Sequence, residues 1–260
     1  MNQKQKAKRF AELHIKGKPL LLYNAWDAGS AKAIVAGGAK AIATSSWSVA
    51  EAQGYPDGEA IPIEFAQRIV ERIAATIKAP VTVDFEGGYS EDDGELVGNI
   101  SRFLDAGVIG INFEDRVVKG SGLYSIDRQV RRIAAIRKAA GQKGIDFFIN
   151  ARTDVFFEHG EDAAQAVGEA LDRAKAYAAA GASGFFVPGL VDDTLIERIC
   201  DGVSLPVNVM VMEGVPSNAR LAELGVARIS YGPIPYIRAM EVLEQEARTA
   251  LDEAAARSGA

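Results

Sequence analysis

Short runs of apolar, β-branched and aromatic residues recur along the chain, separated by longer stretches whose apolar positions repeat at helical spacing. The short runs are LLLYN (20–24), AIATS (41–45), VTVDF (81–85), VIGINFE (108–114), DFFINA (146–151), GFFVPG (184–189), LPVNVM (205–210) and ARISYG (227–232). Each has the length and bounded apolar character of a buried strand. The intervening segments, such as PIEFAQRIVERIAATIK (62–78) and DAAQAVGEALDRAKAYAAAG (162–181), are amphipathic helices by pattern. Eight strand–helix repeats in 260 residues predict an α/β fold, a (β/α)8 TIM-type barrel, ahead of a doubly wound sheet.

The punctuation agrees with this reading. AGGAKAIA (36–43), DAGVIGINFE (105–114), AAGASGFFV (179–187) and ELGVARIS (223–230) each show a helix end, a glycine, a short turn and a strand. Glycine ends a helix there because it accepts positive φ. No linker or low-complexity tract divides the chain, so residues 1–260 are expected to form a single barrel domain. A helix over about 3–16 precedes the barrel, and a helical extension over about 235–258 follows it. Ile237, Met240, Val242, Leu243 and Leu251 give that extension more apolar positions than an eighth barrel helix needs. A subunit contact through this helix is the expectation.

Composition narrows the partners. A net charge of -6 and a pI of about 5.2 argue against nucleic acid, whose phosphates call for a basic surface. No apolar run reaches the roughly 18–20 residues of a membrane span. The N-terminal segment lacks the apolar core of a secretory signal, and Cys200 is the one cysteine. A cytoplasmic location is expected.

In a barrel the polar residues at the C-terminal ends of the strands form the site. In chain order these are Asn24, Trp26 and Asp27; Ser45, Ser46, Trp47 and then Asp57; Asp84 and Glu86; Glu114 and Asp115; Asn150, Arg152 and Asp154; Asn208 and Glu213. At the strand period Thr82, Asp84 and Glu86 share one face. Two carboxylates on one face repel and are costly to desolvate, so a cation, a metal or water is expected to compensate them. Carboxylates and water suit Mg2+. Asp115 and Asp154 have an alternative role as helix caps. Arg152 suits either an internal ion pair or a substrate carboxylate. His14 and His159 lie away from the strand ends, and Cys200 reads as a packed thiol. The glycines of EGGYS and KGSGLYS open no helix and match no nucleotide fingerprint.

NAWDAGSA, YPDGE, the acidic end at 84–86, GINFED and INARTD together resemble the isocitrate lyase/phosphoenolpyruvate mutase superfamily, over nearly the whole chain. The resemblance implies a barrel whose terminal helix is exchanged between subunits, giving a homo-oligomer, dimer or tetramer. It implies Mg2+ at Asp57, Asp84, Glu86 and Glu114, with Glu86 replacing the family's usual aspartate. It places Ser45, Ser46, Trp47, Asp84 and Arg152 at a small anionic 2-oxo acid or malate-like substrate. Arg152, Asp57, Lys119 and Ser121 become the catalytic candidates. In the loop DRVVKGSGLYS, Lys119 matches the lyases' lysine, Ser121 replaces their cysteine acid and Leu123 their histidine. A hydroxyl is a far weaker acid than a thiol near pKa 8.5. After the sixth strand, Pro188 and Gly189 replace a polar family residue.

The implied activity is a Mg2+-dependent lyase or mutase reaction that makes or breaks a C–C or P–C bond beside a 2-oxo acid through an enolate. Phosphonopyruvate-type P–C mutase or hydrolase chemistry is one alternative. A 2-oxo-acid-binding protein with little catalysis is another. A Schiff-base aldolase on Lys119 is disfavoured, because a loop lysine lies outside the barrel wall.

Overall fold

The computed structural model describes residues 1–258. Its strands are β1 (Leu20–Leu22), β2 (Ile42–Ala43), β3 (Val81–Asp84), β4 (Gly110–Glu114), β5 (Phe148–Arg152), β6 (Gly184–Phe186), β7 (Val207–Met210) and β8 (Arg228–Ser230). Its helices are α1 (Gln3–Glu12), α2 (Ala28–Ala36), α3 (Ser46–Glu51), α4 (Ile63–Thr76), α5 (Asp93–Asp105) and α6 (Ile126–Gln142). They continue with α7 (Val155–His159), α8 (Ala163–Ala179), α9 (Asp193–Gly202), α10 (Asn218–Glu223) and α11 (Ile234–Ser258).

All strand pairs are parallel, in the order β1-β8-β7-β6-β5-β4-β3-β2. The circle is completed between β1 and β2 by a parallel bridge of Ala25 to Thr44, with Ala25 N donating to Ala43 O at 2.8 Å. This is the expected (β/α)8 barrel. Its strands are shorter than the apolar runs that announce them, because each run includes residues that pack the strand's flanking turns.

The barrel interior is polar in its upper part. Asn150 Nδ2 and Arg228 Nη2 both donate to Asn112 Oδ1, at 3.0 and 2.9 Å, and Asn208 Nδ2 donates to Ser230 Oγ at 3.2 Å. Below this layer α1 plugs the barrel floor. Phe10 meets Phe148 edge-on at 5.2 Å, and the His14 ring stacks on Phe148 at 4.1 Å. Burial, and then the Arg228 charge, push the His14 pKa down to about 3.

Two boundaries differ from the expectation. The N-terminal helix ends at Glu12 rather than near residue 16. Beyond it the chain turns through Gly17 (φ 77°), with Ile15 bridging Lys18 and Gly17 N reaching Val226 O. Tertiary pairing thus overrides a helical pattern. Second, β3 ends at Asp84, so Glu86 reaches the rim from a turn and not as the next residue on a strand face.

Helix α11 presents Val242, Leu243 and Leu251 to solvent at 63, 60 and 70% exposure. Over β1 and between α1 and α2 runs a groove of about 1060 Å³, lined by Leu13, Ile15, Leu21, Tyr23, Ile34 and Tyr231 among others. Leu21, on a barrel strand, is 45% exposed there. No helix among the described residues is long and apolar enough to cross a membrane.

Candidate active site

Asp84 ends β3 and is held by the start of α3. Its Oδ2 accepts from Ser46 N at 3.2 Å and Ser46 Oγ at 2.8 Å, while Asp84 N donates to Thr44 Oγ1 at 3.1 Å. Its Oδ1 is buried and has no hydrogen-bond partner among the described residues. Ser45 caps α3 through Ser48 N at 3.3 Å and accepts from Ser48 Oγ at 3.1 Å. The Trp47 ring lies edge-on to Tyr236 at 5.9 Å, as Trp26 does at 5.2 Å, giving this side of the rim an aromatic wall.

Glu86 stands in a left-handed turn. Among the described residues, the non-glycine residues with positive φ are Glu59 (57°), Glu86 (52°) and Tyr89 (61°). All three are bonded to one another. Glu86 Oε1 accepts from Gly58 N (3.1 Å) and Glu59 N (2.9 Å), Tyr89 OH donates to Glu86 Oε2 (3.4 Å), and Tyr89 N donates to Glu59 Oε1 (2.7 Å). Such conformations cost energy and gather at functional sites. Gly88 (φ 88°) suits this turn, since a side chain there would be strained and its Cβ would lie 2.3 Å from Leu96 Cδ1 and 3.1 Å from Phe113. Glu59 was not among the sequence candidates; its only signal was its place in YPDGE.

Glu114 ends β4, and Arg152 ends β5 directly opposite it. Arg152 Nη1 is 2.9 Å from Glu114 Oε2, and its Nε and Nη2 grip Asp154 bidentately at 2.6 and 2.9 Å. Arg152 is thus engaged in ion pairs, one of its two anticipated roles. The capping role for Asp115 and Asp154 is not observed. The Asp154 side chain makes no cap hydrogen bond and pairs with Arg152 instead. Asp115, fully buried, accepts from Asp154 N (3.0 Å), Tyr177 OH (2.8 Å) and Arg173 Nη1 (3.1 Å).

Electrostatics ties these groups together. Burial, and then the Asp84 charge, raise the Asp57 pKa. Burial, then Asp84 and Asp57, push Glu86 up to about 8. Burial raises Glu114 well above the usual carboxylate range; Arg152 opposes this, and Asp154, Asp84 and Glu86 add to it. Burial alone would lower the Arg152 pKa, but Glu114 and Asp154 outweigh it and raise it. Asp57, Asp84, Glu86, Glu114 and Arg152 therefore share one electrostatic neighbourhood at the barrel mouth.

These residues fit a hydrated hard cation better than a protein-only cage. Among the described residues, no three His, Cys, Asp or Glu side chains lie close enough to grip an ion together. Mg2+ takes only one or two carboxylates directly and keeps several waters. The unpartnered Asp84 Oδ1 and the raised Asp57, Glu86 and Glu114 match that demand.

Lys119 and Ser121 sit on the loop after β4, which Arg116 and Leu123 close by an antiparallel bridge. Lys119 Nζ is 3.8 Å from Glu59 Oε2, while Ser121 is exposed. The loop lysine thus meets the Glu59–Glu86 cluster. His14 lies at the barrel floor, His159 pairs with Glu169 at 3.7 Å, and buried Cys200 has its thiol pushed up to about 12 by burial.

An eight-stranded α/β barrel with acids and an arginine gathered at its C-terminal mouth is the class that fold and site define. Residues 10–251 match the family model described as phosphoenolpyruvate phosphomutase, and the chain belongs to that family. A protein from Burkholderia cenocepacia J2315, described provisionally as a phosphonomutase, is 45% identical, with 96% of this chain and 100% of that chain covered and a TM-score of 0.93. The 2-methylisocitrate lyase of Escherichia coli (strain K12) is 28% identical, with 90% of this chain and 80% of its own length covered. A phosphonopyruvate hydrolase solved with oxalate and Mg2+ shares the fold at 21% identity, with 97% and 88% covered and a TM-score of 0.82.

Proposed function

We propose that this protein is a Mg2+-dependent lyase or mutase-type enzyme that makes or breaks a C–C or P–C bond adjacent to a small 2-oxo acid. The observation that carries this reading is the unpartnered, buried Asp84 Oδ1 set among three carboxyls whose pKa values are raised. Such a cluster calls for a divalent ion, and the matched family supplies the chemistry.

Asp84 is the residue best placed to touch Mg2+ directly; Asp57, Glu86 and Glu114 would hold its waters. When bound there, Mg2+ supplies positive charge to the substrate's carboxylate and 2-oxygen. Ser46 keeps Asp84 oriented through its N–H and Oγ. Arg152 retains N–H donors beyond its three ion-pair contacts and stabilises negative charge as the enolate forms. Ser45 supports the backbone of 46–48, and Trp47 closes the wall beside the substrate. Lys119, exposed but tethered near Glu59, or Ser121 on the same loop, moves the proton as the loop closes.

P–C chemistry is favoured as a second reading by the 45% identical structure described provisionally as a phosphonomutase. For assembly, we propose that α11 seats its apolar side on a second copy, in the groove beside β1.

The test is titration of oxaloacetate, a 2-alkylmalate and phosphonopyruvate into the protein, with Mg2+ or with chelator, followed by pyruvate and phosphate assays. Metal-dependent binding and turnover of one compound is expected. Asp84→Asn should cut Mg2+-dependent binding by about 100-fold or more. Unchanged binding in that variant would sink the reading.

A further inference from the structure

The turn that carries Glu86 is held from behind by α6. Arg132 is 0% exposed, yet no carboxylate pairs with it among the described residues. Its Nη2 donates to the carbonyls of Gly87 and Ser90, the latter at 2.9 Å. Its Nη1 donates to Gln129 Oε1 at 3.2 Å, and its Cζ lies 4.9 and 4.4 Å from the centroids of the Phe113 and Tyr124 rings. Gln129, also fully buried, passes the contact on: its Nε2 donates to Glu114 O at 2.9 Å. Glu114 N in turn donates to Glu86 O at 3.0 Å. The result is a closed circuit running Glu86–Glu114–Gln129–Arg132–Gly87, its last link the peptide bond between Glu86 and Gly87.

A buried guanidinium without a paired carboxylate is costly, and an apolar side chain of similar volume is often better tolerated. An apolar residue here, however, would leave the Gly87 and Ser90 carbonyls without this donor. It would also release a turn whose Glu86 and Tyr89 adopt positive φ against their own preference. Lysine cannot replace the fork, because two carbonyls and an amide oxygen must be met from one planar group.

We propose that Arg132, acting with Gln129, is a positioning residue that sets this left-handed turn and thereby fixes where the Glu86 carboxylate stands relative to Glu114 and Asp84. The inference rests on the metal-site reading of Glu86. It assigns Arg132 no contact with substrate.

The experiment is a double-mutant cycle on the full-length protein, with Glu86→Gln, Arg132→Lys and their combination, reading Mg2+ affinity by calorimetric titration of the metal alone. Arg132→Lys is expected to weaken Mg2+ binding about 10–100-fold. The double variant should be no weaker than Glu86→Gln by itself. Hydrogen exchange in chelator should rise at the Gly88 and Glu114 amides, which bond Phe85 O and Glu86 O. Additive losses of affinity, or unchanged exchange, overturn the inference while the metal site stands. Absence of Mg2+ binding by the unaltered protein overturns the metal reading and this inference with it. If Arg132→Lys does not fold, Gln129→Met breaks the link to Glu114 while keeping Arg132 on its two carbonyls. Weaker Mg2+ binding and faster exchange at the Glu114 amide are expected of it, and unchanged values for both overturn the inference.

Discussion

Glu86 shows how much one residue's surroundings decide. Its pKa, pushed up to about 8 by burial, Asp84 and Asp57, is far above the ordinary 4.5. A raised carboxyl pKa means that the fold prefers the protonated form. Its contribution is fully present below about 4.5 and is lost as pH rises through about 8. In chelator, Glu86→Gln should therefore flatten the fall in stability between these limits, by up to about 5 kcal/mol. Urea denaturation across that range checks it; parallel curves for the two proteins would count against the buried acid cluster. The identity of this carboxylate was legible in VTVDFEGGYS. Its route to the rim was not, because a strand's alternation says nothing about where the strand stops. Asp154 and Asp115 teach the same point: sequence placed them before a helix, but packing turned them towards Arg152 and towards Arg173 with Tyr177.

At the scale of elements, α1 is more than an entry helix. Its capping box of Asn2 and Gln5 starts it, and Phe10 and His14 close the barrel floor against Phe148. The depressed His14 pKa, about 3, means the fold holds the ring neutral. That contribution is present above the unfolded value near 6.5 and is lost as pH falls towards 3. His14→Phe should lose less stability than the parent between pH 7 and pH 4.5 (both about these values). Equal losses in denaturant titrations would show that His14 is not the responsible group. The eight strands, by contrast, were all visible in sequence, because short apolar runs bounded by glycine turns have few other solutions. The early stop of α1 at Glu12 was invisible, since it depends on Gly17 reaching Val226 across the fold.

At the scale of the whole molecule, α11 and the groove beside β1 complement each other: one has an uncovered apolar side, the other an uncovered strand. If the proposed assembly forms through them, replacing exposed Val242 and Leu243 together with aspartate should give monomers in sedimentation velocity where the parent sediments as an oligomer. If α11 met only solvent, the same substitutions would change stability by no more than about 0.5 kcal/mol each, and the sedimenting species would be unchanged. The apolar excess of this helix was readable from Ile237 to Leu251, because side-chain chemistry is local. The groove beside β1 was not, because it forms only when α1, α2 and β1 come together.

The sequence by itself determined the barrel, its eight strands and the residue types available at their C-terminal ends. These follow from periodicity and turn chemistry, which act over a few residues. Only the tertiary structure decided how those residues meet. It set Glu86 in a left-handed turn bonded to Glu59 and Tyr89, left Asp84 Oδ1 without a hydrogen-bond partner among the described residues, committed Arg152 to Glu114 and Asp154, and placed Arg132 behind the site. Those outcomes depend on which distant segments compete for the same buried space, and no local pattern encodes that competition.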